Sequence, residues 1–228
     1  MKSTPRIILT MMLCLVLTGC TGAAAEPSDQ PFGTYEKTVE EYDVGSFAVP
    51  VFREDEGLTY INDILIVNEE YDLPPDYNPG LETEVIEAAE QLIQDAADEG
   101  FSLTIVSGFR SYQDQEAVYE DFVDRLGQEE AEQYTNLPGH SEHQTGLAID
   151  IGTVESASTA AVSFGDTEAY AWMKDVAHEY GFIVRYQEGK EDITGMSYEP
   201  WHLRYVGVEA ATEMYEEDLV LEEYLGID

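Results

Sequence analysis

The clearest periodic signal in the chain runs from Leu81 to Glu99. There Leu81, Val85, Ala88, Ala89, Leu92, Ile93 and Ala96 share one helical face, and Gly100 stands where a C-cap belongs. Before it, Tyr60 to Asn68 is rich in β-branched residues and predicts a strand, which the Pro- and Gly-containing segment Pro74 to Gly80 breaks. Leu103 to Val106 reads as a short apolar strand leading into Ser107-Gly108-Phe109-Arg110. Ser111 with Asp114 spells a capping box for a helix through Leu126 that buries Val118, Tyr119, Phe122 and Leu126. Gln128 to Tyr134 is a further helical turn before a loop at 136–140, and Leu147 to Ile151 is the next strand. Asp166 is placed to cap a helix ending near Tyr180, with Gly181 after it. Phe182 to Tyr186 and Trp201 to Tyr205 read as two more strands, and Glu209 to Leu225 closes the chain as helix. The elements mix irregularly rather than in βαβ units. The expected class is therefore α+β, a small antiparallel sheet flanked by helices.

The amino terminus follows a different pattern. Lys2 and Arg6 precede an apolar run, Ile7 to Leu17, interrupted only by Thr10. That run is too short to span a bilayer as a stable helix and reads as a secretion signal. It ends in Leu17-Thr18-Gly19-Cys20, which resembles a bacterial lipobox and implies cleavage before Cys20 and acylation of its thiol. The expected organisation is a signal peptide at 1–19, a lipidated cysteine with a flexible tether at 20–45, and one domain at 46–228. Cys14 leaves with the signal and Cys20 is acylated, so the domain has no thiol for a disulfide or a metal.

Charge narrows the partners. Ten Lys and Arg stand against 48 Asp and Glu, a formal charge of −38, and loss of Lys2 and Arg6 with the signal takes it to −40. Such a surface excludes nucleic acid, which demands basic patches. It also repels an anionic membrane, so attachment rests on the lipid at Cys20 and places the domain on the outer face of the bacterial cytoplasmic membrane. Solubility explains the acidity, and so does adaptation to high salt or high pH.

The chemistry concentrates in two segments. Of four histidines, His140, His143 and His202 fall in or beside Ser141 to Asp150 and Glu199 to His202. Two imidazoles and a carboxylate are the three protein ligands of a catalytic zinc site that keeps one position open. His143 and Asp150 lie seven apart, unlike a helical H-E-x-x-H pair, so the loop must fold back onto the strand. Asp150 interrupts the apolar Ala148-Ile149-Asp150-Ile151, an expensive burial unless a cation compensates. Glu199, three residues before His202, is placed to act as a base over the bound water.

Ser141-x-His143 followed by Asp150, and Glu199-x-Trp201-His202, resemble the VanY-type D-alanyl-D-alanine carboxypeptidases, zinc peptidases of the LAS group. Ile64 to Asn68, Leu73-Pro74, Ser107 to Ser111 with Gln115, and Trp201 to Gly207 extend the likeness over about Tyr60 to Leu225. The resemblance implies an LAS-type fold, Zn2+ held by His143, Asp150 and His202, Glu199 as catalytic base and Arg110 steadying the oxyanion. It implies substrate-binding roles for Ser141 and Gln115, with Tyr112 and Trp201 in the pocket or in core packing. His140, in the loop before the motif, carries less weight, and His178 reads as a partly exposed structural histidine. The implied reaction is removal of the terminal D-Ala from peptidoglycan stem peptides by a monomer. The alternatives are an L,D-carboxypeptidase acting on tetrapeptide stems, a cross-bridge endopeptidase, or a non-catalytic zinc-binding recognition domain.

Overall fold

A tight turn splits the first predicted strand in two. In the computed structural model, which describes residues 50–154 and 162–227, β1 (Phe52–Asp55), β2 (Leu58–Ile61) and β3 (Ile64–Leu65) form an antiparallel sheet in that order. Asn62 and Asp63, with φ of 51° and 65°, make the two-residue connection between β2 and β3. Left-handed conformation at both positions is what a type I′ hairpin requires, and Asn and Asp tolerate it. The signal sequence, Cys20 and the tether lie outside the described residues.

Helix α1 (Thr83–Asp98) buries Val85, Ala89, Leu92 and Ala96, the inner part of the predicted face. It ends as a Schellman motif in which Phe101 N–H donates to the Ala96 carbonyl at 2.8 Å. Strand β4 (Leu103–Ser107) follows, then α2 (Tyr112–Leu126) with the reciprocal Ser111–Asp114 capping box in place. The expected burial of α2 is corrected. Gln115 is its one buried residue, Val118, Tyr119 and Phe122 are half-buried, and Leu126 is exposed. The helix does not sit on the main core; Val118 and Phe122 face a cleft instead.

Beyond α3 (Gln128–Ala131) and a 3-10 turn at Glu142–Thr145 comes β5 (Ala148–Thr153). Helix α4 (Glu168–Val176) is capped by Thr167, whose Oγ1 accepts from Tyr170 N–H at 3.1 Å. The expected cap, Asp166, lies in the preceding 3-10 turn. Strand β6 (Phe182–Tyr186) and α5 (Glu191–Thr194) lead to β7, which spans Glu199–Tyr205 and so begins two residues earlier than expected. The predicted closing helix is two, α6 (Val208–Glu217) and α7 (Leu221–Leu225). Asp218 breaks it with φ 55°, and Leu219 N–H closes the turn on the Met214 carbonyl at 2.9 Å.

The main sheet is antiparallel in the order β4-β5-β7-β6. Side chains alternate across it with period two. Ile149, Ile151, Leu203, Phe182 and Val184 pack with the buried residues of α1 and with Met173 of α4 to make the principal core. The positions between them, Asp150 on β5 and His202 on β7, belong to the opposite face. A smaller cluster joins Ile61, Ile66 and Ile183 to Ala211 and Met214 of α6 and Leu221 and Leu225 of α7. This is the expected α+β arrangement, with one face of the sheet packed on the principal core and the other shared between the ligand side chains and the smaller cluster.

Candidate active site

Strand pairing brings the first two donors together, since Asp150 and His202 stand directly opposite one another on β5 and β7. The third, His143, comes from the 3-10 turn that feeds β5. Gly146 closes that turn with φ 74°, and a Cβ there would meet the Gly80 carbonyl oxygen at 2.2 Å. Only glycine fits. Arg110 N–H donates to the His143 carbonyl at 3.1 Å, which ties the loop after β4 to the same turn.

His143 Nε2 lies 3.3 Å and His202 Nδ1 3.1 Å from the same oxygen, Asp150 Oδ1. The two rings meet edge to face, centroids 4.9 Å apart. Their outer nitrogens are committed elsewhere: His143 Nδ1 is 2.7 Å from the Gly108 carbonyl, and His202 Nε2 is 3.2 Å from Glu142 Oε2. Carbonyl and carboxylate oxygens accept, so each of these nitrogens carries a hydrogen. In their neutral forms His143 Nε2 and His202 Nδ1 then present lone pairs beside the Asp150 oxygen, the state in which they would meet a cation. Arms of about 2.0–2.1 Å in a tetrahedral zinc site put ligand atoms about 3.3 Å apart, which these spacings match. The donor set therefore fits a divalent cation of that size.

Electrostatics agree. Burial alone would pull His202 down, but Asp150 and Glu142 outweigh it and raise it to about 9, so in the metal-free chain one proton takes the cation's place. Burial likewise opposes ionisation of Asp150, yet His143 and His202 hold it well below the usual carboxylate range. His143 is pulled down, first by burial, with Asp150 opposing.

Glu199 lies within β7, opposite Tyr186, rather than ahead of the strand expected from Trp201. The β6–β7 register shifts beside it, and Pro200, with no N–H to donate, occupies the shifted segment. Glu199 Oε2 is 3.9 Å from His202 Nδ1. Burial pushes this carboxyl up to about 7, with His202 opposing and Asp150 adding to the rise. Arg110 is lowered by burial, against the pull of Asp150 and Glu199. Its Nε is buried and has no hydrogen-bond partner among the described residues.

The cleft has a volume of ≈ 330 Å³. Arg110, Ser141, His143, Asp150, Glu199 and His202 all line it, with Trp201 and the Val118–Phe122 face of α2 among its apolar walls. One expectation changes. Gln115 stands behind the wall: its amide donates to Thr135 Oγ1 at 3.2 Å and the Asn136 carbonyl at 2.7 Å, and those two residues reach the cleft. Of the two roles open to Tyr112 the structure gives packing, toward Gly139 and outside the lining. His140 does not join the ligands; its Nδ1 bonds the Asn68 carbonyl at 2.7 Å. His178 stacks on Tyr215 at 4.1 Å and bonds Thr212, a structural role.

Sequence reasoning passed over Glu142, Arg185, Arg204 and Glu222, all buried. A signal existed. Arg185 and Arg204 interrupt apolar strands, and a buried guanidinium needs a buried anion.

Three convergent donors, a desolvated carboxyl and a guanidinium around one cleft have the parts of a single-metal hydrolase. The chain matches the family described as VanY, D-alanyl-D-alanine carboxypeptidase, over residues 78–208, and it belongs to that family. It is 34% identical over 185 residues to the D-alanyl-D-alanine carboxypeptidase of Enterococcus faecalis (strain ATCC 700802 / V583), covering 72% of this chain and 66% of that protein's own length. Among solved structures it is similar to the L,D-carboxypeptidase DacB of Streptococcus pneumoniae, with a TM-score of 0.71 and 38% identity over 78% of this chain and 97% of that one. It is also similar to the vancomycin resistance D,D-pentapeptidase VanY in complex with Zn(II), with a TM-score of 0.62 and 35% identity over 70% of this chain and 97% of that one.

Proposed function

We propose that this chain is a zinc-dependent D,D-carboxypeptidase that removes the terminal D-Ala from peptidoglycan stem peptides. The observation that carries the reading is the convergence of His143 Nε2, Asp150 Oδ1 and His202 Nδ1 beside Glu199 and Arg110. Two imidazoles and a carboxylate favour zinc, which when bound supplies a Lewis acid that polarises a carbonyl and acidifies water. Glu199 accepts the proton of the attacking water at its carboxylate and returns it to the leaving amine. Arg110, which lines the cleft, offers its guanidinium to the charge that develops on the carbonyl oxygen. Ser141 offers its hydroxyl to the substrate, and Val118, Phe122 and Trp201 keep water from the flank of the peptide. Gln115 acts through Thr135 and Asn136.

A second reading, an L,D-carboxypeptidase of tetrapeptide stems, is supported by the higher structural similarity to DacB, 0.71 against 0.62 for VanY. The two separate in one assay. Purified protein with zinc is incubated with pentapeptide and tetrapeptide stems and the products are weighed by mass spectrometry. Loss of one alanine from the pentapeptide is the expected result; loss from the tetrapeptide alone transfers the assignment to the L,D reaction. Glu199→Gln is expected to lower turnover about 10²–10⁴-fold while zinc stays bound. A purely recognitional zinc domain would have no use for that carboxyl.

We also propose that acylation of Cys20 holds the domain at the outer face of the cytoplasmic membrane, on the strength of the lipobox. Cys20→Ala is expected to move the protein from the membrane fraction to the medium. Retention in the membrane would sink the anchor.

A further inference from the structure

Behind His202 lies a buried charged cluster that the reaction above leaves unexplained. Glu142 divides its oxygens: Oε2 accepts from His202 Nε2 at 3.2 Å, while Oε1 accepts from Arg185 Nε at 2.8 Å and Arg204 Nη1 at 2.9 Å. The other nitrogens of Arg185, Nη1 and Nη2, donate to the two oxygens of Glu222 at 2.9 and 2.5 Å. The remaining nitrogens of Arg204 go to the Leu65 and Tyr205 carbonyls. The side chains of Glu142, Arg185 and Arg204 are 0% exposed and that of Glu222 is 5% exposed. Two carboxylates and two guanidiniums cancel, and each nitrogen of both guanidiniums has an acceptor.

We propose that Glu222, on the C-terminal helix α7, and Arg185, on β6, are positioning residues that fix the tautomer and orientation of the ligand His202 through Glu142. The argument is one of competition for an oxygen. An arginine fork engages a carboxylate in pairs of parallel bonds. By taking both Nη groups, Glu222 leaves Arg185 with only Nε for Glu142, and Glu142 Oε2 stays free for His202. Without the Glu222 charge, the fork turns to the carboxylate it already touches and draws Oε2 away from the imidazole. The cluster then also carries one uncompensated positive charge beside a site that must hold a cation. Leu221 and Leu225, packed in the smaller apolar cluster, set where Glu222 stands, so docking of α7 is coupled to the metal centre about His202. Hydrogen-bond partners of metal-bound histidines commonly change metal affinity about 10–100-fold when removed.

This inference rests on the zinc reading, and the test separates the two. Full-length wild type and Glu222→Gln are compared for Zn2+ affinity by chelator competition and for the visible absorption of Co2+ in the site. Wild type that binds neither ion overturns the zinc reading itself. With wild type binding, the expected result for Glu222→Gln is affinity weaker by about 10–100-fold and an altered cobalt spectrum. The double variant Arg185→Met/Glu222→Leu, which restores charge balance, is expected to recover at least tenfold of that loss, which a purely structural role for Glu222 would not produce. Unchanged affinity with a superimposable cobalt spectrum in Glu222→Gln overturns the proposal, as does a double variant no better than the single. Should Glu222→Gln not fold, Glu222→Asp, which keeps the charge but withdraws the carboxylate from the Arg185 fork, takes its place: tenfold or greater loss of Zn2+ affinity supports the proposal and unchanged affinity overturns it.

Discussion

A single oxygen of Asp150 faces two imidazole nitrogens, and that crowding has a measurable consequence. With His202 raised to about 9 by Asp150 and Glu142 against the effect of burial, the proposed zinc would have to displace a proton at any pH below about 9. Apparent affinity should therefore climb with pH toward that value, and titration calorimetry at pH 7 in two buffers of different ionisation heat should report close to one proton released per zinc. Heats that do not depend on the buffer would remove the assigned protonation. The sign for stability runs the other way. A histidine raised above its unfolded value supports the metal-free fold fully below about 6.5, and that support is lost as pH rises through about 9. The ligands were readable from sequence because histidine is scarce and Asp150 sits among apolar neighbours. The indirect contacts of Gln115 and Glu142 were not, because each reaches a residue far away in sequence, across a contact that only the folded chain creates.

At the scale of elements, helices with a continuous apolar face were legible and their ends less so. Helix α1 follows its periodicity because it packs on the sheet along its whole buried stripe. Helix α2 has an equally plain pattern, yet its apolar residues serve a cleft wall, and periodicity does not distinguish a core from a cleft. The split hairpin and the broken C-terminal helix both turn on non-glycine residues in the left-handed region, Asn62, Asp63 and Asp218, which sequence patterns mark only weakly. The turn bearing His143 is stricter. Gly146→Ala should cost about 1–3 kcal/mol in backbone strain alone and more from the clash with the Gly80 carbonyl. Thermal melts should show a large drop together with weakened zinc binding, since His143 rides on that turn. Gly189→Ala, with φ 81° but nothing within 4 Å of the added Cβ, should lose only the strain and leave zinc binding intact. Equal behaviour of the two variants would contradict this placement.

For the whole molecule the dominant quantity is charge, 48 acidic residues against ten Lys and Arg. Lowering the screening length from about 10 Å at 0.1 M salt to about 3 Å at 1 M should relieve that repulsion and raise the melting temperature. A melting temperature flat across that range would discard a saline origin for the acidity.

The alternation of the central sheet carries one more implication. The metal ligands and the core residues occupy the same strands at adjacent positions, Asp150 between Ile149 and Ile151, His202 beside Leu203. A slip of one residue in β5 would carry the carboxylate into the oil of the helical side and present isoleucine to the other. No misregistered chain can assemble the donor set. On the zinc reading, occupancy by metal is a proofreading signal for the fold: a preparation's zinc content would count the molecules whose strands have paired correctly, before any substrate is added.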